Sequence, residues 1–114
     1  MARSNIPNPL ERRHLLERDL PAAQALALAE SYLELERPLE AVAFLVLAEA
    51  DEKLAELVEL AVEAGDAFLL KSLADVRRVQ VDADAWSRLA SAAEAAGKET
   101  YEALARRQFQ RAEE

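Results

Sequence analysis

The feature that most constrains the fold is a run of eight consecutive apolar residues, AVAFLVLA, at positions 41–48. Pro38 precedes the run, in a place where the first turn of a helix tolerates proline. A helix that is apolar on every face is normally covered on every face. We therefore predict that this helix is the central element of the fold, with Phe44, Leu45 and Leu47 among the most buried residues.

The composition favours a single, all-helical domain. The chain has 114 residues, which suffice for one domain, and it contains two glycines and no cysteine. Its many Ala, Leu and Glu residues favour helix, and the absence of cysteine excludes disulfides and thiolate sites. We predict a flexible N-terminal arm over residues 1–7 and one all-helical domain over residues 8–114.

The charge and the hydropathy pattern exclude several classes of partner. The formal net charge is −8, whereas contacts with phosphate groups need a basic surface, so we expect no binding to nucleic acid. Eight apolar residues are too few to span a bilayer. The N-terminal sequence MARSNIPNPLERR lacks the apolar run of a secretory signal. We therefore expect a cytoplasmic protein that does not bind membranes.

Capping signals divide the chain into six to seven helices. Asn8 followed by Pro9 and Glu11 predicts an N-cap and a capping box for a helix over about residues 9–19. Short connections make successive helices antiparallel neighbours, so the predicted all-α fold is a series of helical hairpins. Pro21 is predicted to start a second helix over about residues 22–35, and Asp51 and Gly65 are the predicted cap and end of a fourth helix. Asp66 is the predicted cap of a fifth helix, which extends to about residue 78 and is followed by an extended connector over residues 79–83. Asp84 and Gly97 are the predicted cap and end of a sixth helix.

Apolar residues at helical spacing predict which face of each helix is buried. In the fourth helix these residues are Leu54, Leu57, Val58 and Ala61. In the last helix they are Tyr101, Leu104, Ala105, Phe109 and Ala112.

Three segments share a pattern of apolar and small residues: 28–36, 57–65 and 89–97. Each is followed at once by a second helix. Small residues recur where the paired helices would touch, and the first segment carries Tyr32. This pattern resembles the tetratricopeptide repeat over about residues 22–112. The offsets between segments are 29 and 32 residues rather than the family's 34. A short repeat array and an irregular helical bundle are both compatible with the sequence.

The sequence offers no convincing catalytic or metal-binding set. His14 is the only histidine, and with Glu11 it forms a single Glu-x-x-His motif, whereas a di-iron bundle needs two such motifs and two further carboxylates. The hydroxyl residues predicted within helices are Ser31, Ser72, Ser87, Ser91 and Thr100, and only one histidine could serve as their base. We therefore predict no enzyme activity, no catalytic residue, no metal ligand and no cofactor.

An acidic stripe is the feature with the clearest functional potential. Glu52, Glu56, Glu59 and Glu63 recur along one face of the fourth helix without a basic residue among them. The resemblance to tetratricopeptide repeats implies a binding groove lined by the first helix of each pair. A solubilising surface is the alternative interpretation of the same carboxylates. The predicted partner-binding residues of this groove are Leu26, Glu30, Leu33, Glu34, Glu59, Val62, Glu63 and Glu94.

These observations predict a small, non-catalytic protein–protein interaction module that binds a basic peptide or helix. The alternative is a structural homo-oligomer, for example a homodimer, formed through exposed apolar helix faces and without a separate ligand.

Overall fold

A computed structural model of the protein describes residues 6–18 and 20–113, which form seven helices and no strand. The all-α prediction is thereby confirmed. Residues 1–5 of the predicted arm, and residue 19 at the predicted end of the first helix, lie outside the described residues. The helices are α1 (Pro9–Glu17), α2 (Ala22–Glu34), α3 (Pro38–Leu47), α4 (Asp51–Ala64), α5 (Ala67–Ala74), α6 (Ala83–Ala95) and α7 (Glu99–Glu113).

The chain divides into two compact units, Met1–Leu54 and Ala55–Glu114, with the boundary inside α4. The first unit contains α1, α2 and α3, and the second contains α5, α6 and α7. The single domain over residues 8–114 stays a prediction.

In the first unit, α2 and α3 pack against each other through small residues and one aromatic pair. Ala25, Ala29 and Ala41 have no exposed surface, which lets the two helices approach closely. The rings of Tyr32 and Phe44 stack with centroids 5.7 Å apart and planes inclined by 14°. This ring separation lies in the favourable range for aromatic pairs.

The helix α3 is buried on one side and half-exposed on the other. Phe44 and Leu45 are fully buried, as predicted, but Leu47 is only half-buried and Leu39 is 50% exposed. The prediction that every face is covered is therefore wrong. An apolar run shows that a helix has no polar face, whereas the number of covered faces depends on how many neighbours pack against it.

Four helices end with the same hydrogen bond, in which the residue two places after the C-cap donates to a carbonyl five residues earlier. The residue that directly follows the C-cap has a backbone conformation in the left-handed region. This conformation and the hydrogen bond together form the Schellman motif. The residues with positive φ are Glu36 (57°), Glu49 (53°), Gly65 (66°) and Gly97 (73°). The bonds run from N–H to carbonyl in the pairs Arg37–Tyr32 (2.9 Å), Ala50–Leu45 (3.0 Å), Asp66–Ala61 (2.9 Å) and Lys98–Ala93 (2.8 Å).

The three similar sequence segments share this ending and a pattern of burial. Each ends on one of the left-handed residues, at 36, 65 and 97. Within the segments, the buried residues in equivalent positions are Ala29, Val58 and Ala90, and then Tyr32, Ala61 and Ala93. Three positions before the segments, Ala25, Leu54 and Trp86 are also buried. Burial and the left-handed helix ending therefore recur at the same offsets, 29 and 32 residues, as the sequence pattern.

In the second unit, Gly65, which follows the last residue of α4, lies close to the backbone of α6. A Cβ added there would lie 2.9 Å from both Cα and N of Ala93. The buried stripe predicted on α4 is confirmed at all four positions. On α7 only Ala105 is buried, and the predicted burial of Ala112 is wrong because the end of this last helix is exposed.

Two of the predicted N-caps are correct, and the cap predicted for α6 is displaced. The side chains of Asn8 and Asp66 accept hydrogen bonds from the N–H groups of Glu11 and Leu69, as N-caps do. The cap of α6 is Asp82 rather than the predicted Asp84, since Asp82 is extended and accepts from Ala85 N–H at 2.9 Å. The helix α4 begins at Asp51 itself, and α5 ends at Ala74, before the predicted residue 78.

Candidate partner-binding surfaces

The predicted partner-binding residues fall on three helices in two units. In the first unit, α2 carries the exposed Glu30 and Glu34 and the half-buried Leu26 and Leu33. In the second unit, α4 carries Glu59, Val62 and Glu63, and α6 carries Glu94. A groove that combines carboxylates of both units stays a prediction.

Val62 is unavailable to a partner. Only 4% of its surface is exposed, so the prediction that it provides apolar contact is wrong. Val62 lies one turn after Val58 and next to Ala61, both of which are buried. The buried face of α4 is therefore wider than the four-residue stripe that the sequence predicted.

Glu59 has an internal cationic partner. The guanidinium of Arg88 on α6 lies 3.3 Å from the Glu59 carboxylate and 2.9 Å from that of Asp84. The hydrogen bonds from Arg88 to Glu59 and Asp84 raise the pKa of the Arg88 guanidinium. The acidic stripe of α4 is thus partly neutralised at Glu59.

Glu94 is engaged in a similar way. The guanidinium of Arg106 on α7 lies 3.4 Å from the Glu94 carboxylate and 2.7 Å from that of Glu102. Hydrogen bonding to Glu102, with a smaller contribution from Glu94, raises the pKa of Arg106. All three side chains are solvent-accessible, and the group is a surface network between α6 and α7.

The exposed face of α4 combines acidic and apolar chemistry. Glu56 and Glu63 are exposed, and neither has an ion-pair partner among the described residues. Leu60 is 48% exposed and lies one turn from both, so it stands at the edge of the same face. Sequence reasoning missed Leu60, although its spacing from Glu56 was sufficient to place it there.

A shallow pocket of about 380 Å³ lies in the first unit beside the predicted residue Leu26. It has three acidic side chains in its lining and one basic side chain. The lining residues are Leu26, Glu49, Ala50, Asp51, Glu52 and Lys53.

Two other features, a metal-ion site and a membrane-spanning helix, are not found in the part of the chain that the structure describes. His14 is exposed on α1, and the described residues hold no group of three or more His, Cys, Asp and Glu side chains arranged to bind a metal ion. Among the described helices, none combines the length and the apolar character needed to cross a bilayer.

Comparison with known proteins gives no relative for this chain. No protein-family model matches it, and neither a curated protein nor a solved structure matches it.

Proposed function

We propose that the chain is a small, non-catalytic protein–protein interaction module that binds a basic amphipathic helix or peptide. The observation that carries this proposal is the exposed face of α4, where Leu60 lies beside Glu56 and Glu63. A partner segment with leucine and arginine or lysine on one face would match both the apolar and the acidic groups.

The two kinds of contact contribute differently to binding. Burying the exposed part of Leu60 contributes about 1 kcal/mol. The carboxylates of Glu56 and Glu63 lie at a solvated rim, where charges mainly accelerate association and select the partner. The attraction is therefore expected to weaken with added salt, because exposed charges are screened over about 8 Å at physiological ionic strength.

We also propose that residues 22–112 form a tetratricopeptide-like array. The support for this part is the shared burial pattern and the common Schellman ending of the three similar segments. In such an array the first helix of each pair would supply binding residues, among them Glu30, Glu34, Glu59 and Glu63.

The proposal is tested with two synthetic helical peptides. One carries leucine and arginine on a common face, and the other has glutamine in place of each arginine. We expect the chain to bind the basic peptide, with an affinity that falls as salt is added, and to bind the glutamine peptide much more weakly. Equal binding of both peptides, or binding that is independent of salt, would contradict the proposal.

Charge-neutralising variants then locate the site. Glu56→Gln combined with Glu63→Gln is expected to slow association with the basic peptide. A matched control is Glu99→Gln combined with Glu113→Gln, which changes the net charge equally on exposed positions of α7. If the control weakens binding as much as the α4 variant does, only the overall charge matters and α4 is not the site.

A second candidate function, a homo-oligomer, is favoured by the exposed aromatic ring of Phe68. Phe68 on α5 is 52% exposed and contacts Tyr101 on α7 edge to face, with ring centroids 5.3 Å apart. Light scattering at several concentrations distinguishes the two candidates. Self-association that is lost in Phe68→Ser would favour the homo-oligomer, whereas a monomer at all concentrations would exclude it.

A further inference from the structure

The first helix is attached to its unit by few contacts. None of the residues 9–17, all of which the structure describes, is buried, and Leu10 is 62% exposed. Leu15 and Leu16 are half-buried. Most helices of a small domain are held by a buried apolar face, and α1 has no such face.

The most specific contact of α1 is made by Arg12. Its Nη2 donates a hydrogen bond of 2.8 Å to the backbone carbonyl of Glu40. Its Cζ lies 5.5 Å from the ring centroid of Tyr32 and 5.4 Å from that of Phe44. Both distances are in the range of cation–π attraction.

The receiving surface belongs to α2 and α3 and consists of two buried, stacked rings. Tyr32 is 1% exposed and Phe44 is fully buried, and their stacked rings offer the guanidinium two aromatic groups at once. Arg37 lies over the same Tyr32 ring and forms an ion pair with the Glu40 carboxylate, with Nε and Oε1 2.5 Å apart. We call Tyr32, Phe44 and the Glu40 carbonyl the arginine site.

The fit of α1 to this site is incomplete. The Nε of Arg12 is buried without a hydrogen-bond partner, and an unpaired buried donor carries a desolvation cost. A cavity of about 390 Å³ also separates the start of α1 from the α2–α3 pair. The cavity is lined by Ile6, Pro7, Asn8, Pro9 and Arg12 on one side and by Tyr32, Arg37 and Glu40 on the other.

The connection between α1 and α2 has an extended backbone at both described ends. Arg18 has φ −90° and ψ 162°, and Pro21 has φ −58° and ψ 143°. Release of α1 would therefore require no unwinding of α2. It would also expose no fully buried side chain of α1 itself.

We propose that the arginine site is an interaction site for an arginine on a partner helix, and that α1 occupies it until the partner displaces it. The inference rests on the proposed function in one respect, namely that the partner is basic. The bound α1 shows which chemistry the site accepts: a helical segment that presents one arginine to two aromatic rings and a backbone carbonyl. Arginine suits this site better than lysine, because its planar group stacks on rings while its N–H groups donate sideways.

The test uses the full chain and two labelled peptides. The first peptide has the sequence of residues 8–18, and the second is the same peptide with Arg12→Gln. The full-length Arg12→Gln variant, whose own α1 no longer fills the site, is expected to bind the first peptide about tenfold more tightly than the second. The wild-type chain is expected to bind the first peptide more weakly than the variant does, because its site is occupied for most of the time. Equal binding of both peptides by the variant would overturn the proposal.

Hydrogen exchange provides an independent measurement on the wild-type chain. The amides of α1 are expected to exchange at least tenfold faster than those of α3, and addition of the first peptide is expected to accelerate them further. If the Arg12→Gln variant does not fold, this measurement still decides the question. Protection of α1 equal to that of α3, or exchange that the peptide leaves unchanged, would overturn the proposal.

Two further variants separate this site from the α4 surface. Phe44→Leu keeps an apolar side chain but removes one ring, and it is expected to weaken binding of the first peptide to the Arg12→Gln chain. Glu56→Gln combined with Glu63→Gln is expected to leave that binding unchanged while it impairs binding at α4. Loss of peptide binding both with Phe44→Leu and with the Glu56→Gln and Glu63→Gln pair would point to a general basic attraction and would overturn the arginine site.

Discussion

The Cα of Ala93 lies 2.9 Å from the position that a Cβ on Gly65 would occupy. Gly65 also has a φ of 66°, so a side chain there would be opposed both by local backbone strain and by a neighbouring backbone. We expect Gly65→Ala to lower the free energy of unfolding by about 2–5 kcal/mol. Thermal unfolding followed by circular dichroism measures this loss.

The matched control for Gly65 is Gly97. Its φ of 73° is similar, but a Cβ there would meet nothing within 4 Å. Gly97→Ala is expected to lower the free energy of unfolding by about 1 kcal/mol, because only the local backbone strain opposes it. Equal losses in the two variants would show that the approach of α6 to Gly65 has no energetic effect.

Glu36 offers a stabilising substitution. It is an exposed, non-glycine residue with a φ of 57° at the end of α2. Glu36→Gly is expected to raise the free energy of unfolding by about 1 kcal/mol, because glycine adopts this conformation without strain. Glu36→Ala keeps the Cβ and is expected to give no such gain. A chemical denaturation midpoint that rises equally for both variants would indicate a charge effect instead.

The assignment of the α6 cap is testable with two aspartates. Asp82→Ala removes the acceptor for Ala85 N–H and is expected to cost about 1 kcal/mol. Asp84→Ala removes an exposed ion pair with Arg88 and is expected to cost less. Urea titration of both variants decides between them. A larger loss for Asp84→Ala would restore the cap that the sequence predicted.

The core of the first unit depends on Phe44. Its ring is fully buried and stacks on Tyr32, so Phe44→Ala is expected to cost about 3–5 kcal/mol. Leu47→Ala, on the half-exposed side of the same helix, is expected to cost less. Melting of the Phe44 variant within a degree or two of the wild type would contradict the role of α3 in the core.

Much of the fold was predictable because its determinants are local. Gly65 followed by Asp66 marks the end of one helix and the start of the next, and the structure has both features there. The spacing of Leu57, Val58 and Ala61 was enough to predict their burial. Capping and periodicity depend on residues within a turn or two of each other, and one sequence contains all of that information.

Features that depend on distant residues were not predictable. The pairing of Arg88 with Glu59 joins residues 29 apart in sequence, and that of Arg12 with the Glu40 carbonyl joins residues 28 apart. The sequence therefore showed an acidic stripe but not the arginine that partly neutralises it. The same limit explains Leu47, whose exposure depends on which helices pack beside α3.

The connections between helices differ in how much extra chain they should accept. Where a Schellman motif ends one helix, the next begins within two or three residues, so an inserted peptide would have to break the closing hydrogen bond. Residues 75–82, between α5 and α6, form turns followed by irregular backbone that ends in the extended Asp82. A fluorescent tag or an affinity epitope inserted near Gln80, which is exposed, should leave both neighbouring helices in place. This connector is therefore the position at which the chain can be labelled internally for binding measurements.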